Sequence, residues 1–427
     1  MKRPFWFLFS VAAVLLLSIA VVKTAPGHDF KVYWVAGQSL LSGRIDLYAS
    51  DFGLDPILDY RYPPLFILLF APLSLLPMLT AEFIWAGLTL AALFFAFFFY
   101  KSTFEKTLSQ AKSSKLIFFL VTLLCLKYVL IGVRTLNVHM IAVSLFIVAV
   151  CLVIRKLPAG GAALTALVIS VKIFPVLSLP YFVIKREWKF VAFTGIILFL
   201  LFLAPSLYFG FRTNLDLHAD WVKHVVFPPE FYELNGPPDM AVDGVLTRYF
   251  SHIDYQSRIA DREYPNVNVA DLPRSIVQPV VLATAGLIAL ITHIAIWKSR
   301  RKKPRAEADG ESAGFLSAVS FHEIGLIICM ILLIGPRTNI IYVAALFVPL
   351  TAVLYSLVVE RKRALIIPIG ITAVVSCVLP LIPGANMSRL FLSLGMEFFS
   401  VFALWLGLLW LVLENPKTDE SFQNSTI

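Results

Sequence analysis

Asp29 is the carboxylate best placed to accept a proton. It lies in Gly27-His28-Asp29-Phe30-Lys31-Val32-Tyr33-Trp34, directly after the first apolar run and among aromatic residues. Partial desolvation at a membrane interface raises a carboxylate pKa and makes it a stronger base. The same position also suits an Asp that caps a helix starting near Tyr33, or one that pairs with Lys31. Cations complement it further along the chain: Lys127 within an apolar run, Arg134 seven residues later on the same helical face, Lys172 in a polar break, then Arg248 and Arg337. A guanidinium fork suits bidentate anion recognition, and ion pairing with nearby acids is the competing use of each Arg. Lys127 either snorkels to an interface or binds a ligand, since a mid-membrane charge costs at least about 2.5–3.5 kcal/mol. Tyr33, Tyr62, Asn137 and His139 are candidate substrate contacts. His218 and His224 are weaker ones, because histidines in loops and at helix ends commonly serve as local hydrogen-bond partners. The Asp261-Arg262-Glu263 triplet is interrupted by Arg, and no metal-ligand spacing occurs.

These residues must be carried by a membrane-embedded scaffold. The chain of 427 residues is 59% hydrophobic and 15% charged, with a mean hydropathy of +0.82. A soluble chain carries about 25% charged residues, so this composition needs a second apolar solvent. Runs without strand-like alternation, each near the roughly 20 residues that cross a bilayer as helix, predict an all-α polytopic membrane protein. Ten full spans are expected at 5–22, 80–100, 116–133, 138–154, 190–210, 275–297, 321–336, 338–359, 364–382 and 389–413. The first reads as a retained signal-anchor rather than a cleaved signal. Two further stretches, 63–78 and 157–184, read as short hairpins or re-entrant segments. The first is bracketed by prolines, and the second is broken at Ser170-Val171-Lys172-Ile173-Phe174-Pro175. Lys172 is thereby expected at a turn facing the outer cavity.

The net charge of +9 is explained by orientation. Basic clusters at Lys2-Arg3, Lys101 to Lys115, Arg155-Lys156, Lys185-Arg186, Lys298 to Arg305 and Arg361 to Arg363 all fall on one side of this topology. That side is cytoplasmic by the positive-inside rule, and with it both termini. The whole chain then forms a single membrane domain, 1–427. It carries outer loops at 23–62 (the catalytic one) and 211–274, and a cytoplasmic loop at 298–320. Nucleic acid is not an implied partner. Cys125, Cys151, Cys329 and Cys377 lie inside apolar runs and read as packed hydrophobes rather than ligands or disulfides.

The first-loop pattern G-x-D-F-x-x-Y-x-x-A-G-x-x-L-L-x-G runs from Gly27 to Gly43. With Leu47-Tyr48 and Tyr60-Arg61-Tyr62-Pro63-Pro64-Leu65 downstream, it resembles glycosyltransferase family 87. Gly132-Val133-Arg134-Thr135-Leu136-Asn137 resembles that family's G-Q-x-N element. Ser170 to Pro175 with Lys185-Arg186-Glu187-Trp188 resembles its K-x-x-P and R-x-W segment, and Asp239 to Arg248 its N-Q-S-x-x-G-x-x-x-R stretch without the Asn-Gln-Ser core. The resemblance implies a GT-C-like helical bundle acting as a hexosyltransferase, by default a mannosyltransferase. The donor would be a polyprenyl-phosphate sugar and the acceptor an extracytoplasmic lipid or glycan. It assigns Asp29 as catalytic base and Lys172 as a donor-phosphate contact; Arg134, Arg248 and Arg337 are further candidate contacts by their charge and guanidinium shape. One base opposite the leaving group implies inversion. No cofactor is implied, and no glycine loop for a nucleotide is present. The expected location is the plasma or inner membrane with an extracytoplasmic site. The competing reading is a non-enzymatic transporter or lipid flippase, which would suit the re-entrant segments and intramembrane lysine but lacks a visible inverted repeat.

Overall fold

The computed structural model describes residues 17–19, 22, 28–48, 60–108, 111–226, 239–253, 264–301, 318–335 and 338–414. Within them the architecture is all-helical, with one isolated bridge between Asp239 and Asn339. The helices used below are α1 (His28–Leu41), α2 (Pro64–Ser74), α3 (Met78–Leu108), α4 (Ala111–Thr135), α5 (His139–Ile154), α6 (Pro158–Val171), α7 (Leu179–Ile184) and α8 (Trp188–Leu203). They continue with α9 (Phe211–Trp221), α10 (Val242–Phe250), α11 (Arg274–Arg301), α12 (Ala318–Ile334), α13 (Phe347–Val358), α14 (Ile366–Ala373), α15 (Ala385–Leu394) and α16 (Met396–Leu413).

Seven helical stretches among the described residues are long and apolar enough to cross a membrane. They are Met78–Glu105, Ser113–Thr135, Trp188–Phe209, Arg274–Arg300, Ile340–Val358, Arg363–Leu381 and Met396–Leu413. Each coincides with an expected span, but the count of ten is not reached. The expected span 5–22 lies almost wholly outside the described residues. The expected spans 138–154 and 321–336 form shorter helices, α5 with 16 residues and α12 with 17. At 1.5 Å per residue these reach only about 24–26 Å. Their sequences are apolar all round because protein surrounds them: α5 is buried at nearly every position, and Phe321 to Leu333 is buried throughout. The expected span 389–413 is also corrected, because Gly395 adopts φ +67° and divides it into α15 and α16. That left-handed backbone suits glycine, and a Cβ there would sit 2.9 Å from Val245 on α10.

Both short segments are real breaks in the bundle. Pro63 precedes α2 and Pro64 opens it, where a missing N–H costs nothing. α6 stops at Val171 and Lys172 is extended at φ −143°, ψ 112°. Pro175 enforces this, since its ring would clash with the carbonyl four residues back, at Val171. A 3-10 turn at Phe174–Ser178 then leads into α7.

The buried side chains form two clusters. The larger joins α3, α4, α5, α12, α13 and α16 around Leu326, Cys329 and Leu350. The smaller, mostly aromatic, joins α1 and α2 to the start of α3 and the α4–α5 turn.

Candidate active site

α1 is fixed against α2 at its C-terminal half. The Gln38 amide donates to the Ser74 carbonyl, and the Trp34 indole donates to Leu76 O at 3.2 Å. Gly37 permits the approach, since a Cβ there would lie 2.8 Å from that of Ser74. Asp29 and Tyr33 are four residues apart on this helix and share a face.

Tyr33 is fully buried. Its hydroxyl lies 2.7 Å from that of Tyr62 and accepts the Val138 amide at 3.2 Å. Its ring meets Tyr62, Phe66, Phe70 and Trp85 edge-on, with centroids 5.1–6.1 Å apart. Burial, then the neighbouring Tyr62 and the Asp29 carboxylate, push the Tyr33 phenol well above its ordinary range, so it stays neutral. Tyr48 donates to Tyr62 O at 2.8 Å, and Trp85 donates to Leu136 O at 2.9 Å. The loop before α2 and the α4–α5 turn are thus tied to one aromatic floor. The turn itself is tight: Leu136 adopts φ +53°.

Lys172 projects over this floor. Its ammonium lies 4.6 Å from the Tyr62 ring centroid and donates to the Tyr342 hydroxyl at 3.0 Å. Burial pushes the ammonium pKa down, but Tyr342, Tyr62 and the Asp29 carboxylate outweigh it and hold the value above the ordinary lysine range. Lys172 is therefore a cation at neutral pH, with Asp29 inside its electrostatic neighbourhood. His139 stacks on Tyr342, rings 3.5 Å apart and 29° from parallel. It is buried, and neither ring nitrogen has a hydrogen-bond partner among the described residues. The Asn137 side chain accepts the His139 amide at 2.8 Å, a local turn just before α5. Beneath His139 a pocket of about 20 Å³ is lined by Phe146, Phe174, Ile331 and Tyr342 among others.

Six of the nine sequence-predicted site residues meet here: Asp29, Tyr33, Tyr62, Asn137, His139 and Lys172. Arg134 stands at the C-terminal end of α4, three residues from Asn137. It is exposed and makes no hydrogen bond or ion pair with the described residues. Arg248 is placed elsewhere, on α10. It is fully buried, donating to Ser393 O at 3.0 Å and to Asp239 O at 2.7 Å. Arg337 lies outside the described residues. His218 and His224 face the carbonyls four residues back, Asn214 O at 2.9 Å and Asp220 O at 3.0 Å, which are local partners. Lys127 does not snorkel; it pairs with Glu397 at 2.7 Å.

Sequence reasoning passed over two residues. Tyr342 has no signal of its own, because it lies inside the apolar run expected to span 338–359. Glu397 did have one: a lone acid within an apolar run implies a basic partner, and Lys127 was already in need of one.

The arrangement brings a lysine ammonium and a carboxylate together at an aromatic wall. The sequence model of glycosyltransferase family 87 matches residues 60–321, more than half of the chain. The match includes Tyr62, Arg134, Asn137, His139, Lys172 and Arg248, and begins after Asp29. No curated protein and no solved structure matches the chain.

Proposed function

The chain belongs to glycosyltransferase family 87 and is a membrane glycosyltransferase, and we propose that it transfers a hexose, mannose by default, from a polyprenyl-phosphate donor. The acceptor is an extracytoplasmic lipid or glycan. The observation that carries this reading is the Lys172 ammonium, held by the Tyr342 hydroxyl and the Tyr62 ring within the electrostatic reach of Asp29. Phenols orient the cation without cancelling its charge, so a phosphate can still be bound.

In the proposed step the acceptor hydroxyl gives its proton to the Asp29 carboxylate while its oxygen bonds to the anomeric carbon. The bond from that carbon to the phosphate oxygen breaks, and the electron pair leaves on the polyprenyl phosphate, where Lys172 and Arg134 stabilise the charge. A single displacement inverts the anomeric centre. The distribution of basic clusters supports a site on the extracytoplasmic side of a plasma or inner membrane, with both termini in the cytoplasm.

Asp29→Asn keeps the shape of the side chain and removes its basicity. Purified protein in bilayers, given polyprenyl-phosphate hexoses, should lose at least about 10² in turnover while its donor KM is little changed. Asn caps helices nearly as well as Asp, so a purely capping Asp29 predicts near-normal activity. Wild-type transfer by a folded Asp29→Asn protein ends the catalytic assignment. Transfer from sugar nucleotides but from no polyprenyl-phosphate sugar ends the donor assignment.

A further inference from the structure

We infer that Tyr342 is the positioning residue of this site, holding the Lys172 ammonium in place for the donor phosphate. The inference rests on the reading of Lys172 as a donor contact. A lysine side chain carries about 2 kcal/mol of rotamer entropy, so an unrestrained ammonium would lose much of it when a phosphate arrives. Here the ordering is already done. Lys172 has three N–H donors; one goes to the Tyr342 hydroxyl at 3.0 Å, and the ammonium also faces the Tyr62 ring at 4.6 Å. Donor capacity remains for a phosphate oxygen.

Tyr342 is itself anchored from three directions. Its ring is stacked on His139 at 3.5 Å. Its amide donates to Asn339 O at 2.8 Å, opening the 3-10 segment Ile340–Leu346. That segment is pinned to the start of α10 by the Asp239–Asn339 bridge and by the Met240 amide, which donates to Thr338 O at 2.6 Å. The Asp239 carbonyl in turn accepts from buried Arg248. Arg248 therefore acts at a distance: it fixes the segment that carries Tyr342, and Tyr342 fixes Lys172.

Tyr342→Phe removes the hydroxyl and keeps the ring on His139. We expect the donor KM to rise about tenfold, the scale of a hydrogen bond to a charged group, with a much smaller fall in kcat and an unchanged melting temperature. Tyr342→Leu removes the stack as well and should raise KM further. In a double-mutant cycle, Lys172→Met should raise KM by itself, and adding Tyr342→Phe to it should change little, because both act through one ammonium. If Lys172→Met raises the donor KM and Tyr342→Phe does not, or if the two effects simply multiply, the positioning role is overturned while the donor reading stands. If Lys172→Met leaves the donor KM at the wild-type value, the donor reading fails and the positioning role falls with it.

Discussion

Lys127 and Lys172 are both lysines in apolar surroundings, and the molecule gives them different partners. Lys127 meets the carboxylate of Glu397 at 2.7 Å, in a pair whose acid is only 3% exposed. Lys172 meets the hydroxyl of Tyr342 and the face of Tyr62. The first lysine is neutralised where it stands, whereas the second is oriented and remains charged. Arg248 is oriented by backbone carbonyls, its Nε donating to Ser393 O in α15 and its Nη1 to Asp239 O just before α10. A cation in a membrane protein is thus a functional candidate according to what its partners leave unspent, and the position of the charge alone does not decide it.

The sharpest way to break that contrast is to remove each lysine. Lys127→Met strands the Glu397 carboxylate, of which Oε2 already lacks a hydrogen-bond partner among the described residues. Losing one member of a buried pair costs about 3–5 kcal/mol. Lys172→Met leaves two phenols and the half-buried Asp29 carboxylate, none of them a buried ion-pair partner like Glu397, so its loss of stability should be clearly smaller even though its effect on transfer is larger. Denaturant unfolding in micelles compares the two, and adding Glu397→Gln to Lys127→Met should recover most of the loss. Equal destabilisation by both lysine variants would mean that the two sites are built alike.

What could be read from the sequence follows the same division. The elements of the aromatic site are marked locally: Pro63-Pro64 starts α2, Pro175 ends α6, and Asp29 and Tyr33 share a helical face at a spacing of four. Contacts closed over long separations carry no such local spacing, and at most an unmatched charge in an apolar run hints at one. Lys127 and Glu397 are 270 residues apart, and Lys172 and Tyr342 are 170 apart. Hydropathy also cannot distinguish lipid from the interior of a bundle, which is why α5 and α12 read as full spans. An apolar helix wrapped by other helices has the composition of one wrapped by lipid.

A smaller effect sharpens the comparison from the side of packing. Gly37→Ala should place a Cβ about 2.8 Å from the Ser74 Cβ and force α1 from α2. Overpacking of this kind costs about 1–3 kcal/mol. Because α1 carries Asp29, transfer should fall together with stability, and Ser74→Gly in the same chain should restore both. An unchanged melting temperature for Gly37→Ala would show that the α1–α2 contact is looser than its geometry.

The smallest effect is expected at Arg134, which is also the clearest test of unspent charge. It is exposed at the end of α4, with no hydrogen bond or ion pair to the described residues, so Arg134→Gln breaks nothing in the fold. Stability should stay within about 0.5 kcal/mol of wild type, as for surface changes generally. A solvent-exposed ion pair is worth at most about 1 kcal/mol, so the donor KM should rise no more than about fivefold. That rise should shrink as salt is added, because exposed charges are screened over roughly 10 Å at 0.1 M. The Lys172 contribution, sheltered by Tyr62 and Tyr342, should persist at the same salt concentration. Titrating donor KM against salt in both variants separates the two cations. A salt-insensitive loss in Arg134→Gln would mean that Arg134 closes over the donor when it binds, and that its exposure belongs only to the empty site.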